Sequence, residues 1–202
     1  MSYNDTIRPL AATILLALYL PVPFYLISLH GLHHVWKKMG LRAYVFVLVP
    51  YVAMVAAVVR WHGLWQWRAW SWPPWLAWMS CIPLAVAGYL AFYTYRTIES
   101  RTLHLARQID PQGGRSLITT GVLGHIRHPR YVMFTLLAMG NVLLTGYPLV
   151  AASLALTTPL LWATIRLEER ELMEYFGESF RDYRKRVPAF IPRQSTGRRD
   201  AS

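Results

Sequence analysis

Residues 131–165 run for 35 positions without an Asp, Glu, Lys or Arg. As one helix the run would be about 50 Å long, at about 1.5 Å per residue. The hydrocarbon core of a bilayer is only about 30 Å thick. Gly146-Tyr147-Pro148 falls near the middle, and Gly followed closely by Pro marks one helix stopping and another starting. The run therefore predicts two short antiparallel helices joined by a tight turn. Residues 10–29, 43–59 and 75–95 are three earlier apolar segments of about spanning length. The expected fold is all-α: an integral membrane protein with five transmembrane helices, the last two a short helical hairpin, followed by a cytoplasmic C-terminal helix. Pro21, Pro23, Pro50 and Pro83 lie inside the earlier segments, where neighbouring helices re-satisfy the freed carbonyls and kinks are expected.

The charge pattern agrees with a membrane and argues against nucleic acid. The formal net charge is +11, which on a soluble chain would suggest a nucleic-acid partner. Here 18 of the 21 Lys and Arg fall in residues 30–42, 96–130 and 166–202, between the apolar segments. With five spans these three blocks share one side, and only Arg8, Arg60 and Arg68 face the other. The positive-inside rule makes the basic side cytoplasmic and puts the N-terminus outside. The expected setting is a bacterial inner membrane, with the lipid bilayer as the first partner. Residues 61–78 hold seven of the nine tryptophans, as suits an outer interface where indole keeps its ring in the acyl boundary and its N–H among headgroups. Cys81 is the one cysteine, so neither an intrachain disulfide nor a cysteine-based metal site is expected. The first apolar run is too long for a signal-peptide core and no small-x-small cleavage pattern follows it.

Chemistry-bearing residues gather at the edges of the long uncharged run. His125-Ile-Arg-His-Pro-Arg-Tyr131 stands directly before it. Pro129 suits the first helical turn and pushes His128 towards an extended conformation. Arg127 and His128 then flank a helix N-terminus, whose free N–H groups favour anions. This is either a site for a carboxylate or phosphate or a pair of snorkelling arginines on lipid headgroups. At the far end stand Glu168 and Glu169. A hairpin returns them to the side of Arg127 and His128. Adjacent helical residues point about 100° apart, so only one of the two faces a given pocket. Acidic groups at a helix C-terminus also require a compensating cation, and Arg127, Arg130, His128 or a cationic ligand would serve. The plain alternative is a solvated helix continuing through Glu171, Glu174 and Glu178. The glycine-bearing segment 110–121 allows close backbone approach to a ligand, yet has neither the Lys-Ser/Thr nor the preceding strand of a phosphate loop. His30, His33 and His34 share a helical face at a metal-binding spacing, with no carboxylate nearby in sequence, so no metal is expected.

Taken in order, Gln108, Arg115-Ser-Leu-Ile-Thr, Gly121, Arg127-His-Pro-x-Tyr131, Glu168-Glu169-x-x-Leu172, Phe176-Gly177 and Tyr183-x-x-x-Val187-Pro188 resemble the isoprenylcysteine carboxyl methyltransferase and phospholipid methyltransferase superfamily of integral-membrane enzymes. The resemblance covers residues 108–192. It implies a methyltransferase using S-adenosyl-L-methionine, with a cofactor-binding catalytic region at 101–193 after three spans in 1–100, and a disordered tail at 194–202. By the same resemblance Gln108, Arg115, Ser116, Leu117, Ile118, Leu123, His128, Pro129, Arg130, Tyr131, Glu168 and Glu169 bind the cofactor, and Arg127, His128 and Glu168 act in the transfer. The family commonly has an aromatic residue where Leu123 stands, often another at His125, and a histidine at Arg115. Its prenylcysteine members carry a substrate-binding arginine where this chain has Thr164, and Arg166, the nearest arginine, is the expected substrate-binding residue here. The acceptor therefore stays open between a lipophilic molecule and a small thiol or carboxylate. An NADPH-dependent membrane reductase of the sterol-reductase type and a non-catalytic membrane scaffold are the rival readings.

Overall fold

A computed structural model describes residues 6–64, 69–71, 73–98 and 117–192. Gln108, Arg115, Ser116, most of the glycine-bearing loop and the expected tail lie outside the described residues. Among the described residues all regular structure is helical. The helices are α1 Arg8–Tyr19, α2 Val22–Gly31, α3 His33–Met39, α4 Ala43–Arg60, α5 Pro74–Met79, α6 Cys81–Ile98, α7 Pro129–Thr145, α8 Pro148–Phe176 and α9 Glu178–Arg186. Single 3-10 turns occur at Gly40–Arg42, His62–Leu64 and Gly121–Gly124.

Among the described residues, three stretches are long and apolar enough to cross a membrane: Arg8–Gly31, Trp75–Thr97 and Pro148–Phe176. Val45–Arg60 is apolar but shorter. The first crosses two helices, because Pro21 and Pro23 each withdraw a backbone donor. Leu20 and Pro21 nevertheless keep right-handed helical dihedrals, so α2 carries on from α1. Large apolar side chains on α4 and α6, among them Phe46, Val49, Val52, Ile82 and Tyr89, are at least three-fifths exposed. Such a surface belongs against acyl chains.

α7 lies at the centre, in contact with α1, α5, α6 and α8. Gly140 makes the α6 crossing possible: a Cβ there would stand 2.6 Å from the Leu84 side chain. Small residues at helix crossings let backbones approach closely where no hydrophobic effect drives association. The uncharged run breaks at the expected place. α7 ends at Thr145, Gly146 takes a left-handed conformation at φ 62°, and Pro148 opens α8. The carbonyls at this break are used: Arg8 donates to Thr145 O and, at 2.9 Å, to Trp70 O, while the Trp70 N–H bonds Gly146 O at 2.8 Å.

α8 departs from the short helix expected. It passes Ile165 without interruption and continues to Phe176, 29 residues in all. Its charged extension persists because the carboxylates there meet cations and imidazoles from other elements. Glu168 and Glu169 consequently sit about two turns before the helix end, outside the last turn where the macrodipole disfavours acids. Leu26, Leu29, Trp36, Tyr131, Leu161 and Ile165 form a buried cluster that joins α2, α3, α7 and α8 beneath that extension.

Candidate functional site

α7 begins where the sequence suggests, with Pro129 in its first turn and His128 as N-cap at φ −123°, ψ 55°. Arg127 and His128 precede the helix and are held by their own backbone. Their N–H groups donate to Pro188 O at 2.9 Å and Ala189 O at 3.1 Å. The segment after α9 is thereby strapped across the start of α7.

The two adjacent glutamates of α8 diverge. Glu169 is 8% exposed and turns into the strap. Its Oε1 accepts from Arg127 Nη2 at 2.7 Å and Nε at 3.2 Å, and from His128 Nε2 at 3.1 Å. Arg184 Nε lies 3.5 Å from Oε2. Arg127 completes this clasp by donating to the carbonyls of Arg184, at 3.0 Å, and Val187. Glu168 turns to the other side. The Tyr131 hydroxyl donates to its Oε2 at 2.6 Å, and Arg130 Nη2 stands 3.4 Å from its Oε1. His128, 4% exposed, sits between the two acids, its Nδ1 3.8 Å from Glu168 Oε2 and its ring edge-on to Tyr131. The guanidinium of Arg130 also lies over the Tyr131 ring, 5.5 Å from its centre.

On the Glu168 side is a cavity of about 110 Å³. Leu117, Ile118 and Leu123 line it from the segment before α7. Arg127, His128, Pro129, Arg130 and Tyr131 come from the turn into α7, and Glu168, Leu172 and Phe176 from α8. Thr94 of α6 and Tyr183 of α9 complete the wall. The Tyr183 hydroxyl donates to Leu123 O at 2.7 Å, which ties α9 to the 3-10 turn. Burial pushes the Tyr183 phenol up to about 12, against the opposing pull of the Arg127 charge.

The cavity thus gathers Leu117, Ile118, Leu123, Arg127, His128, Pro129, Arg130, Tyr131 and Glu168, while Glu169 lies behind it in the clasp. Gln108, Arg115 and Ser116 lie outside the described residues. Arg166 is not brought to the cavity. It is exposed on α8 with its guanidinium 4.3 Å from the centre of the Trp162 ring, and Thr164 is fully buried with its hydroxyl bonded to Leu160 O at 2.8 Å. Arg127 faces the cavity but its donors are committed to Glu169 and to carbonyls. Thr94, Leu172, Phe176 and Tyr183 are wall residues that the sequence reading assigned no role. Leu172, Phe176 and Tyr183 stand in the sequence pattern, whereas nothing about Thr94 in sequence marks it.

The wall suits a zwitterionic, partly apolar ligand. One carboxylate, one guanidinium, one imidazole and a phenol converge at one end, with aliphatic and aromatic side chains at the other. Two buried polar atoms on the wall, Arg130 Nε and Thr94 Oγ1, have no hydrogen-bond partner among the described residues. Buried polar atoms of this kind are normally satisfied, so a ligand with acceptor oxygens fits both.

A profile of the phospholipid methyltransferase family matches residues 75–179. The protein-S-isoprenylcysteine O-methyltransferase of Schizosaccharomyces pombe is 39% identical over 80 residues, 38% of this chain and 33% of that protein. Methanethiol S-methyltransferase 2 of Bradyrhizobium diazoefficiens is 32% identical over 146 residues, 67% of this chain and 56% of that protein. A cobalt-zinc-cadmium resistance protein of Cupriavidus metallidurans is 38% identical over 101 residues, 50% of this chain and 46% of that protein. The chain therefore spans about a third to just over half the length of these relatives. No solved structure matches it. The profile takes in just over half of the chain, including the turn into α7 and both glutamates of α8, and the chain belongs to the phospholipid methyltransferase family.

Proposed function

We propose that the protein is an integral-membrane methyltransferase that uses S-adenosyl-L-methionine and acts on a lipophilic or small thiol or carboxylate acceptor at the cytoplasmic face. The observation that supports it is the convergence of Glu168, Arg130, His128 and Tyr131 on one end of a cavity with an apolar far wall. When bound, the donor's sulfonium would supply an electrophilic methyl group for an acceptor lone pair, with the electrons of the broken carbon–sulfur bond left on sulfur. Within that cavity Glu168 holds the ammonium or the ribose hydroxyls of the donor. Arg130 and the N-terminus of α7 hold its carboxylate. Leu117, Leu123, Leu172 and Phe176 exclude water from the reacting end, and the enzyme's contribution is positioning and desolvation. Arg127 and Glu169 serve by fixing His128 and the strap. Arg166, on the outer face of α8, belongs to the membrane surface and not to the donor cavity.

The reading also takes the membrane to be crossed five times, with α7 and α8 as a hairpin, the basic segments inside and the N-terminus outside. The 18-to-3 partition of Lys and Arg supports that orientation. Residues 1–100 then carry the first three spans and residues 101–193 the catalytic region. The methyltransferase names of the fission-yeast and Bradyrhizobium relatives support transfer, and give no support to the reductase reading. The name of the Cupriavidus relative speaks of metal resistance and by itself gives this chain no metal chemistry.

The test is ligand binding to the purified protein in detergent. S-adenosylhomocysteine at about 100 times its dissociation constant stabilises a folded protein by about 2.7 kcal/mol, so its melting temperature rises, and Glu168→Gln abolishes most of the rise without unfolding the chain. A rise with NADPH alone overturns the proposal in favour of a reductase, and no rise with either ligand leaves only the scaffold.

A further inference from the structure

Behind the cavity a second cluster forms where α2 and α3 meet α8. Leu32, at φ −111° and ψ 20°, bends the chain between the two short helices. At the start of α3 the rings of His33 and His34 lie close, with centres 3.7 Å apart and planes tilted by 41°. Three and six residues beyond Glu168, α8 presents Glu171 and Glu174 to this elbow. His30 Nδ1 lies 3.0 Å from Glu171 Oε2 and pins the elbow to the helix. A carboxylate absent from the local sequence thus arrives from 141 residues away.

We propose that His33, His34 and Glu174 bind one divalent transition-metal ion of the zinc, cobalt or nickel class. The donor atoms His33 Nε2, His34 Nε2 and Glu174 Oε2 all lie within 4.8 Å of one another. Glu174 Oε2 is 3.5 Å from the first nitrogen and 3.9 Å from the second. Metal–ligand bonds of about 2.0–2.2 Å in a tetrahedron put ligand atoms about 3.4 Å apart, so small side-chain rotations close the set.

The tautomer of His33 is already set for a metal. Its Nδ1 stands 3.0 Å from the carbonyl oxygen of His30. A carbonyl only accepts, so Nδ1 carries the proton and the neutral ring leaves its lone pair on Nε2. The residue is 7% exposed and that nitrogen has no hydrogen-bond partner among the described residues. His34 and Glu174, with side chains 69% and 47% exposed, open the site to solvent and leave room for a water ligand. Two imidazoles and one carboxylate suit zinc, cobalt or nickel. Calcium and magnesium require mainly oxygen ligands, and the soft thiolate that copper(I) favours is absent from the cluster. Glu174 lies six residues after Glu168, about 240° around the helix, so the ion and the donor cavity occupy different faces of α8.

The experiment titrates Co2+ into the full chain in detergent, after removal of any affinity tag, and follows the visible absorption of the bound ion. The expected result is saturation at one equivalent with a micromolar or tighter dissociation constant, displacement by Zn2+, and no competition from Mg2+. Glu174→Gln and His34→Ala, both at exposed side chains and both leaving the His30–Glu171 contact in place, each weaken binding by at least about tenfold. His62→Ala, an exposed histidine far along the chain, leaves it unchanged. Absence of saturable binding, or wild-type affinity in both variants, overturns the proposal and leaves the cluster as histidine–glutamate pairs. S-adenosylhomocysteine binding retained by Glu174→Gln keeps the outcome separate from that of the transfer reading.

Discussion

The two ends of α8 handle charge in opposite ways. At the Gly146 end the cation is Arg8, and it is held by neutral carbonyls of Thr145 and Trp70. The polar side chains there turn inward on the helices: Thr157 bonds Ser153 O at 2.7 Å and receives the Tyr19 hydroxyl's company at 3.0 Å. At the other end Arg127, Arg130, Arg184 and four histidines meet four carboxylates of the same helix. Carbonyls satisfy an arginine and can do little else. Carboxylates can be divided, one locked into the scaffold and its neighbour left on a cavity wall. Chemistry is expected at the end where that division exists.

Breaking the locked pair should have the largest effect. Glu169→Ala strands Arg127 in a site where its side chain is only 10% exposed, and losing one partner of a buried pair costs about 3–5 kcal/mol. Denaturation in detergent should show that loss, and an unchanged midpoint would mean the clasp contributes nothing. Glu168→Gln is the counterpart. It should weaken S-adenosylhomocysteine binding by about 1.5–3 kcal/mol, the range for a hydrogen bond to a charged group, and calorimetric titration would detect it while the melting temperature stays close to wild type. Gly140→Val probes the packing between the two ends, where the added side chain meets Leu84, and overpacking should cost about 1–3 kcal/mol in the same denaturation assay. Arg8→Gln at the neutral end should cost about 1.5 kcal/mol, the low end for a hydrogen bond from a charged group, and leave ligand affinity untouched; a loss of affinity would erase the contrast between the ends.

The smallest effect concerns Tyr183. Its pKa is raised from 10.0 to about 12 in the fold. A raised value means that the stabilising contribution is complete below pH 10 and is lost as pH rises towards 12. Tyr183→Phe should cost about 1 kcal/mol for the lost bond to Leu123 O and flatten the alkaline arm of the stability profile.

Much of this was legible in the chain itself. Apolar length gave the helices, Gly146 and Pro148 placed the break, and Pro129 placed the start of α7, because backbone chemistry acts locally. That only one glutamate of an adjacent pair faces a pocket follows from helical geometry. Which one does not follow, since it depends on the distant Arg184 and on where the strap crosses. The length of α8 was misjudged for the same reason: its charged extension is stabilised by partners from α3, α7 and α9, and no local propensity announces them. Thr94 reaches the cavity through the close α6–α7 crossing, and the carboxylates beside His33 and His34 arrive through tertiary packing alone.

The strap carries a consequence for biogenesis. Arg127 and His128 are bound by carbonyls of residues 184–189, which leave the ribosome after the helices α1 to α8 have been made. Insertion can therefore be finished while the pocket is still open on one side. A nascent chain halted at Phe176 would therefore lack both the strap over Arg127 and His128 and the Tyr183 bond to Leu123 that close the cavity.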